Sequence, residues 1–179
     1  MTVRVNGGRE ITIRDAADDD LTAVAAILNR EIAESPYVYA DVPVTLGERR
    51  DWLTSHRAAE LPVVVATPPD GSGVVLGWGA LSMYRPSGGY RFTVEASVYV
   101  DPSAQRQGIG GLLLSHLCDE AREREVHALV ASIDSENSPS IALFERHGFR
   151  EVARLAEVGW KYGAWRTQLL FIRAVLPND

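Results

Sequence analysis

The 179-residue chain holds one cysteine, Cys118, so no disulfide can form within it. Cys118 falls in an apolar-periodic segment and reads as a small buried hydrophobe. Such sparing cysteine use makes the cytoplasm the expected location. No apolar run approaches the ~18 residues that cross a bilayer, so no membrane partner is expected. Met1 to Glu10 mixes charges with glycines and lacks the apolar centre of a secretory leader. Basic residues are outnumbered, 18 against 24 acidic, for a net charge of −6. Without a dense basic run, that balance argues against a general nucleic-acid binder, though not against a local cationic pocket. His56, His116, His127 and His147 show no metal-ligand spacing. They are expected on surfaces or at helix ends, with no bound metal.

What remains is the make-up of an ordinary globular core, 46% hydrophobic and 23% charged. One domain is expected over residues 1–179, with its core at about 11–175. Ile11 to Arg14 alternates apolar and polar residues, as a strand does. Asp18 to Asp20 offer capping chemistry for a helix with the stripe Leu21, Val24, Ala25, Leu28, Ile32. A loop spans Ser35 to Val44, and Thr45-Leu46-Gly47-Glu48 fits a capping box opening a second helix. Val63 to Ala66, Val74 to Met83 and Arg91 to Val100 read as strands, the last two joined by the turn Pro86 to Gly89. A third helix carries Ile109, Leu112, Leu113, Leu117 and Ala121 on one face, and Leu129 to Ile133 is a strand. Ser138-Pro139 reads as cap and first position of a short helix ending at Gly148. Two strands then close the chain around the turn Trp160 to Trp165. The order β-α-α-β-β-β-α-β-α-β-β predicts an α/β domain with mixed strand directions.

The loop after the Ala96 to Val100 strand, Gln105-Arg106-Gln107-Gly108-Ile109-Gly110-Gly111, leads straight into a helix. A helix N-terminus presents unpaired N–H groups and partial positive charge, and glycines let a phosphate approach the backbone. Arg106 adds a fork of donors matched to phosphate oxygens. The pattern is neither a Gly-x-x-x-x-Gly-Lys-Ser/Thr loop nor the three-glycine dinucleotide fingerprint. On Gly108 and Gly110 alone, a plain strand-to-helix turn reads equally well.

Gln-x-x-Gly-x-Gly after a strand resembles the pyrophosphate loop of the GCN5-related N-acetyltransferase (GNAT) superfamily. Asn137 to Phe149, Asn-Ser-Pro-Ser-Ile-Ala-Leu-Phe-Glu-Arg-His-Gly-Phe, resembles its second cofactor segment. Phe92 to Val100 and Val158 to Trp165 are similar to the phosphinothricin and methionine sulfoximine acetyltransferases, a likeness extending from about Ile11 to Val175. The resemblance implies the acyl-CoA N-acyltransferase (GNAT) fold, acetyl-CoA as co-substrate, a homodimer, and acetylation of the α-amino group of a small amino acid or analogue. Val98, Tyr99 and Val100 would run beside the pantetheine arm, with the Val98 N–H polarising the acetyl carbonyl. Gln105 to Gly111, Asn137, Ser140 and Phe144 would complete the cofactor set. Where this chain has Phe144, relatives carry tyrosine or histidine, and phenylalanine can donate no proton to the departing thiolate. Where this chain has Thr167, relatives often carry aspartate.

Period two sets Glu95 and Ser97 on one face of their strand. A polar face on a strand feeding a phosphate loop suggests a wet cleft; a solvent-facing sheet surface is the plainer alternative. An α-amine with a pKa of about 7.7–8.0 is largely protonated at neutral pH, and only its neutral form attacks a thioester. A carboxylate in reach binds the ammonium and takes its proton. Glu95 is the expected base, and the resemblance assigns a glutamate here that role. Arg85, before Pro86 and Ser87 at the strand turn, is the expected partner of a substrate carboxylate, with Ala96 and Ser97 beside the acceptor. Tyr37 and Tyr39 are candidates for closing that pocket. The rivals are another acceptor (a polyamine, an aminoglycoside or a protein N-terminus) and a non-catalytic acetyl-CoA sensor.

Overall fold

A computed structural model describes residues 2–4 and 10–175. The reading of Met1 to Glu10 as lacking a leader therefore lies largely outside the described residues, as does the end of the expected 1–179 domain. The elements are β1 (Thr2–Arg4), β2 (Glu10–Asp15), α1 (Leu21–Glu34), α2 (Leu46–Ala58), β3 (Val63–Thr67), β4 (Gly77–Met83) and β5 (Thr93–Val100). They continue with α3 (Ile109–Glu123), β6 (Ala128–Asp134), α4 (Ser138–Arg146), β7 (Arg150–Lys161) and β8 (Ala164–Ala174). The strands form one eight-stranded sheet in the order β1-β2-β3-β4-β5-β6-β8-β7. β5 and β6 pair in parallel, and every other neighbouring pair is antiparallel.

Helices cover both faces, which is why β3 is buried at every position. Val63 and Val65 face a core built with Leu21, Val24, Leu28 and Ile32 of α1 and Leu53 of α2. Val64 and Ala66 face the opposite core, with Val94 and Ala96 of β5, Leu113 and Leu117 of α3, and Phe171 of β8. The α1 stripe is buried as its spacing implies, with Ile27 added. On α3, Leu114 and Cys118 join the buried face, while Leu112 stays half-buried.

Several boundaries differ from the sequence reading. Thr2–Arg4 adds an unexpected strand on β2. β4 begins at Gly77 rather than Val74: Leu76 donates to Ala66 and accepts from Asp101, but the regular ladder starts one residue on. β5 begins at Thr93 because Gly88–Tyr90 curls into a 3-10 turn, with Tyr90 bonding back to Ser87 and Arg91 to Gly88. Asp20 does not cap α1 with its side chain. Its carboxylate accepts from both terminal nitrogens of Arg14, at 2.6 and 2.8 Å, and from the Ala17 N–H. The α4 cap is Asn137, whose Oδ1 accepts from the Ser140 N–H at 3.3 Å; Ser138 is the first helical residue. The α2 capping box is formed as read, Thr45 with Glu48. His56 lies in the last turn of α2, a helix end as expected, but is buried rather than on the surface. Its ring donates from Nδ1 to the Trp52 carbonyl and accepts at Nε2 from the Ser82 hydroxyl.

Candidate active site

The parallel pairing of β5 with β6 stops at Glu95 opposite Val130. Past that point β5 continues to Val100 against β4, and β6 to Asp134 against β8. The two strands part like a fork, and backbone polar groups of Ala96 to Val100 lose their neighbour on the β6 side. Backbone groups cannot be left unpaired away from water, so such a gap calls for solvent or a ligand. A cleft of roughly 1050 Å³ fills the fork, walled by Ala96, Ser97, Val98, Tyr99 and Val100 on one side and Ser132, Ile133 and Asp134 on the other.

The glycine loop closes one end. Asp101 caps a 3-10 turn by accepting from the Ser103 N–H at 2.9 Å. Arg106 (φ 59°) and Gly108 (φ 87°) then take left-handed backbone, cheap for glycine and strained for arginine. That reversal makes Gly108 the N-cap of α3 without any side-chain cap, so the first N–H groups of the helix stay open toward the cleft. A Cβ on Gly110 would come within 3.3 Å of Leu143 and 3.6 Å of Val100, so a side chain would crowd the groove between α3, α4 and β5. Gln105, Arg106, Gly108, Ile109, Gly110 and Gly111 all line the cleft. Gln107 does not; its amide turns back to donate to the Ser103 carbonyl at 3.1 Å.

Helix α4 supplies the facing wall through Asn137, Ser140 and Phe144. Phe144 is only 5% exposed and packs edge-on against Phe149, so it offers an apolar edge and no proton. His147, unsuspected from sequence, ties the two helices: its ring nitrogens lie 2.8 Å from the Leu143 carbonyl and 3.2 Å from that of Gly111. Arg106, Arg146 and His147 thus gather basic groups at the glycine end, where open helix N–H groups already favour an anion.

The lining also carries acidic and aromatic groups. Glu31 and Glu34, from the last turns of α1, line the cleft with Tyr37 and Val38 of the following loop. Sequence periodicity marks these acids only as the polar side of an amphipathic helix. Ser97 and Tyr99 join them from β5; Tyr99 stacks on Trp78 at 4.6 Å. Burial pushes the Tyr99 hydroxyl up to about 12, with Glu31 adding to the rise. Glu95, half-buried and opposite Ser82 of β4, stands where the fork closes, one residue before the cleft wall begins. Arg85, Pro86 and Ser87 are exposed and lie outside that wall, with Arg85 resting over the rings of Tyr84 and Tyr90.

Tyr39 does not line the cleft but fastens the loop that does. Its hydroxyl donates to Asp134 at 2.8 Å, and Arg166 grips the same carboxylate at 2.7 and 2.9 Å. Burial alone would raise the pKa of Asp134; the hydrogen bonds from Arg166, the Glu136 N–H and Tyr39 together outweigh it and hold the carboxyl below its usual range. Lys161 donates to the Ala40 carbonyl and Tyr162 to that of Ile32, so the β7–β8 hairpin buttresses the loop. Among the described residues, no group of three or more His, Cys, Asp or Glu side chains is placed to hold a metal ion.

Comparison with known proteins agrees with this architecture. The model of the Acetyltransferase (GNAT) family matches residues 24–149. The chain is 37% identical to an L-methionine sulfoximine/L-methionine sulfone acetyltransferase of Pseudomonas aeruginosa, over 86% of this chain and 88% of that protein. It is 36% identical to a phosphinothricin N-acetyltransferase of Streptomyces coelicolor, over 89% and 93%. A GNAT superfamily phosphinothricin acetyltransferase from Sinorhizobium meliloti, solved in complex with AcCoA, superposes with a TM-score of 0.87 at 30% identity, covering 92% of this chain and 88% of that one. The forked sheet with its glycine loop is thus the GNAT fold, and the chain belongs to the GNAT acetyltransferase family as an N-acetyltransferase.

Proposed function

We propose that the enzyme uses acetyl-CoA to acetylate the α-amino group of a small amino acid or analogue of the methionine sulfone or phosphinothricin kind, with Glu95 as general base. The observation that carries this reading is the lining of the cleft, which brings the open N-terminus of α3 and Arg106 together with the acidic groups Glu31 and Glu34 of α1. The α3 N-terminus suits the pyrophosphate, held by the N–H groups after Gly108 and by Arg106, with Asn137 and Ser140 beside it. The gap between Val98–Val100 and α4, where β5 has lost its β6 neighbour, suits an amide-bearing pantetheine arm. Bound there, acetyl-CoA supplies an acetyl group activated as a thioester.

Glu95 binds the incoming ammonium and accepts its proton, directly or through a water. The Val98 backbone N–H donates to the carbonyl oxygen that gathers charge during attack. Phe144 has no proton to give, so the thiolate leaves to water; a thiol pKa of about 8.5 makes that tolerable. The turn Arg85-Pro86-Ser87 caps the β4–β5 pair beyond Glu95 and forms the acceptor-side rim. The exposed Val158, Trp160, Tyr162 and Trp165 of the hairpin support assembly as a homodimer, which light scattering would detect.

Thiol release from acetyl-CoA, measured with methionine sulfone, methionine sulfoximine, phosphinothricin and the common amino acids, tests the acceptor. Turnover of none of them overturns it. Glu31 and Glu34 favour one second reading, a polycationic amine, so spermidine belongs in the panel and preferred turnover of it would replace the amino-acid reading. Stabilisation by acetyl-CoA without thiol release to any amine would make the protein a sensor.

A further inference from the structure

His56 is buried with both ring nitrogens engaged: Nδ1 lies 2.8 Å from the Trp52 carbonyl oxygen and Nε2 2.9 Å from the Ser82 hydroxyl. A carbonyl can only accept, so Nδ1 carries the proton and the neutral ring meets Ser82 with a lone pair. Burial, with the Arg49 charge adding to it and the Trp52 bond opposing it, pushes the pKa of His56 below its ordinary 6.5 and keeps the ring neutral at pH 7. Ser82 has one hydroxyl proton, and His56 takes it. The serine oxygen therefore has only lone pairs to offer any other neighbour.

Glu95 is that neighbour, because Ser82 and Glu95 are direct partners in the antiparallel β4–β5 ladder. Such partners share a face of the sheet with Cβ atoms about 4.5–5.5 Å apart, within reach of a glutamate side chain. Two pairs along the same face, Trp78 lies opposite Tyr99, and the stacking of their rings shows the shared side. Ser82 and Glu95 are both half-buried. The other ionisable groups acting on this cluster are Arg49 of α2, Glu31 of α1 and Tyr99 of β5.

We propose that Ser82 and His56 are positioning residues for the base: His56 draws the Ser82 hydroxyl proton to itself, so the serine oxygen can accept from a protonated Glu95 but cannot donate to its carboxylate. This assignment rests on the reading of Glu95 as general base. A donor beside a carboxylate favours the charged form, whereas an acceptor favours the form that has taken a proton. In the step itself, the proton leaves the substrate ammonium for a Glu95 oxygen, and the new O–H donates to Ser82 Oγ. The amine keeps the electron pair that attacks the thioester, and Ser82 and His56 keep their own protons.

The test is the pH profile of kcat/KM, with the fastest amine of the panel above, for the wild type, Ser82→Ala, Ser82→Thr, His56→Leu and the double variant. Ser82→Ala should lower kcat about three- to tenfold at pH 7 and move the acidic limb down by about half to one pH unit, the worth of one hydrogen bond. The KM for acetyl-CoA should not move. Ser82→Thr keeps the hydroxyl and should keep the wild-type limb. His56→Leu frees the hydroxyl to donate to the Glu95 carboxylate and should move the limb further than Ser82→Ala does. In the Ser82→Ala background the same change should add nothing. A peg that merely holds α2 on β4 would lower activity evenly across pH, and that outcome, or an additive effect of His56→Leu, overturns the assignment. If His56→Leu does not fold, Ser82→Ala and Ser82→Thr decide alone. A Glu95→Gln profile parallel to the wild type removes the base and this assignment with it; an acidic limb that depends on Glu95 but stays in place in Ser82→Ala defeats the assignment alone.

Discussion

At the scale of single residues, the most demanding claim concerns Glu95. Its position follows from strand alternation, which also sets Ser97 and Tyr99 on the same face. Only the sheet shows that it stands at the last pair before β5 and β6 separate. If its carboxylate removes the ammonium proton, Glu95→Gln should lower kcat by about 10²–10⁴-fold at neutral pH. The deficit should shrink at high pH, where the amine deprotonates unaided, and the KM for acetyl-CoA should not move. A pH–rate profile parallel to that of the wild type would remove Glu95 from the mechanism. Phe144 is the complementary case: the sequence shows that no proton donor stands there, and the structure adds that the ring is committed to packing on Phe149.

At the scale of elements, the glycine loop and the α1–α2 loop are shaped by contacts of different range. The first is local. Its strand, turn, left-handed Gly108 and helix follow one another within a dozen residues, so its shape was legible from spacing. The second is held by residues more than ninety positions away, Asp134 among them, and nothing in Ser35 to Val44 announces that partner. A Cβ on Gly159 would sit 2.5 Å from the Tyr39 ring. Gly159→Ala should therefore push Tyr39 off Asp134 and loosen the acceptor end. The expected result is a raised KM for the amine with the KM for acetyl-CoA unchanged. Equal movement of both constants would show that the hairpin supports the whole cleft rather than this loop.

For the whole molecule, buried polar groups set how stability depends on pH. Burial pushes the pKa of His56 below its ordinary 6.5; the hydrogen bond to the Trp52 carbonyl opposes this shift and the Arg49 charge reinforces it. A group whose folded pKa is depressed contributes stability in full above its unfolded pKa and loses it as pH falls toward the folded value. Stability should thus begin to drop below about pH 6.5. A second loss should follow below the ordinary carboxylate value of 3.8, as Asp134 and Asp20 are forced to take protons that Arg166 and Arg14 resist. Urea titrations across pH would read both steps, and His56→Gln should flatten the first while sparing the second. A first step unchanged in that variant would assign it to another group.

Local sequence by itself determined the element order from β2 onward, the α1 and α3 stripes, the α2 capping box and the strand-to-helix turn of the glycine loop, because each depends on neighbours within a few turns of chain. Glycine, proline and capping residues act over those distances, and helical or alternating periodicity reports which face is apolar. Tertiary structure alone decided that β5 and β6 diverge after Glu95, and that Glu31, Glu34 and Tyr37 line one cleft with Tyr99. It also decided that one carboxylate, Asp134, holds both Tyr39 and Arg166, and that the buried Arg49 Nε has no partner among the described residues. Periodicity records the solvent side of an element but not which strand lies beside it or where two strands part. Those choices arise from packing all layers together, and they are what open a cleft between the glycine loop and the strand that carries Glu95.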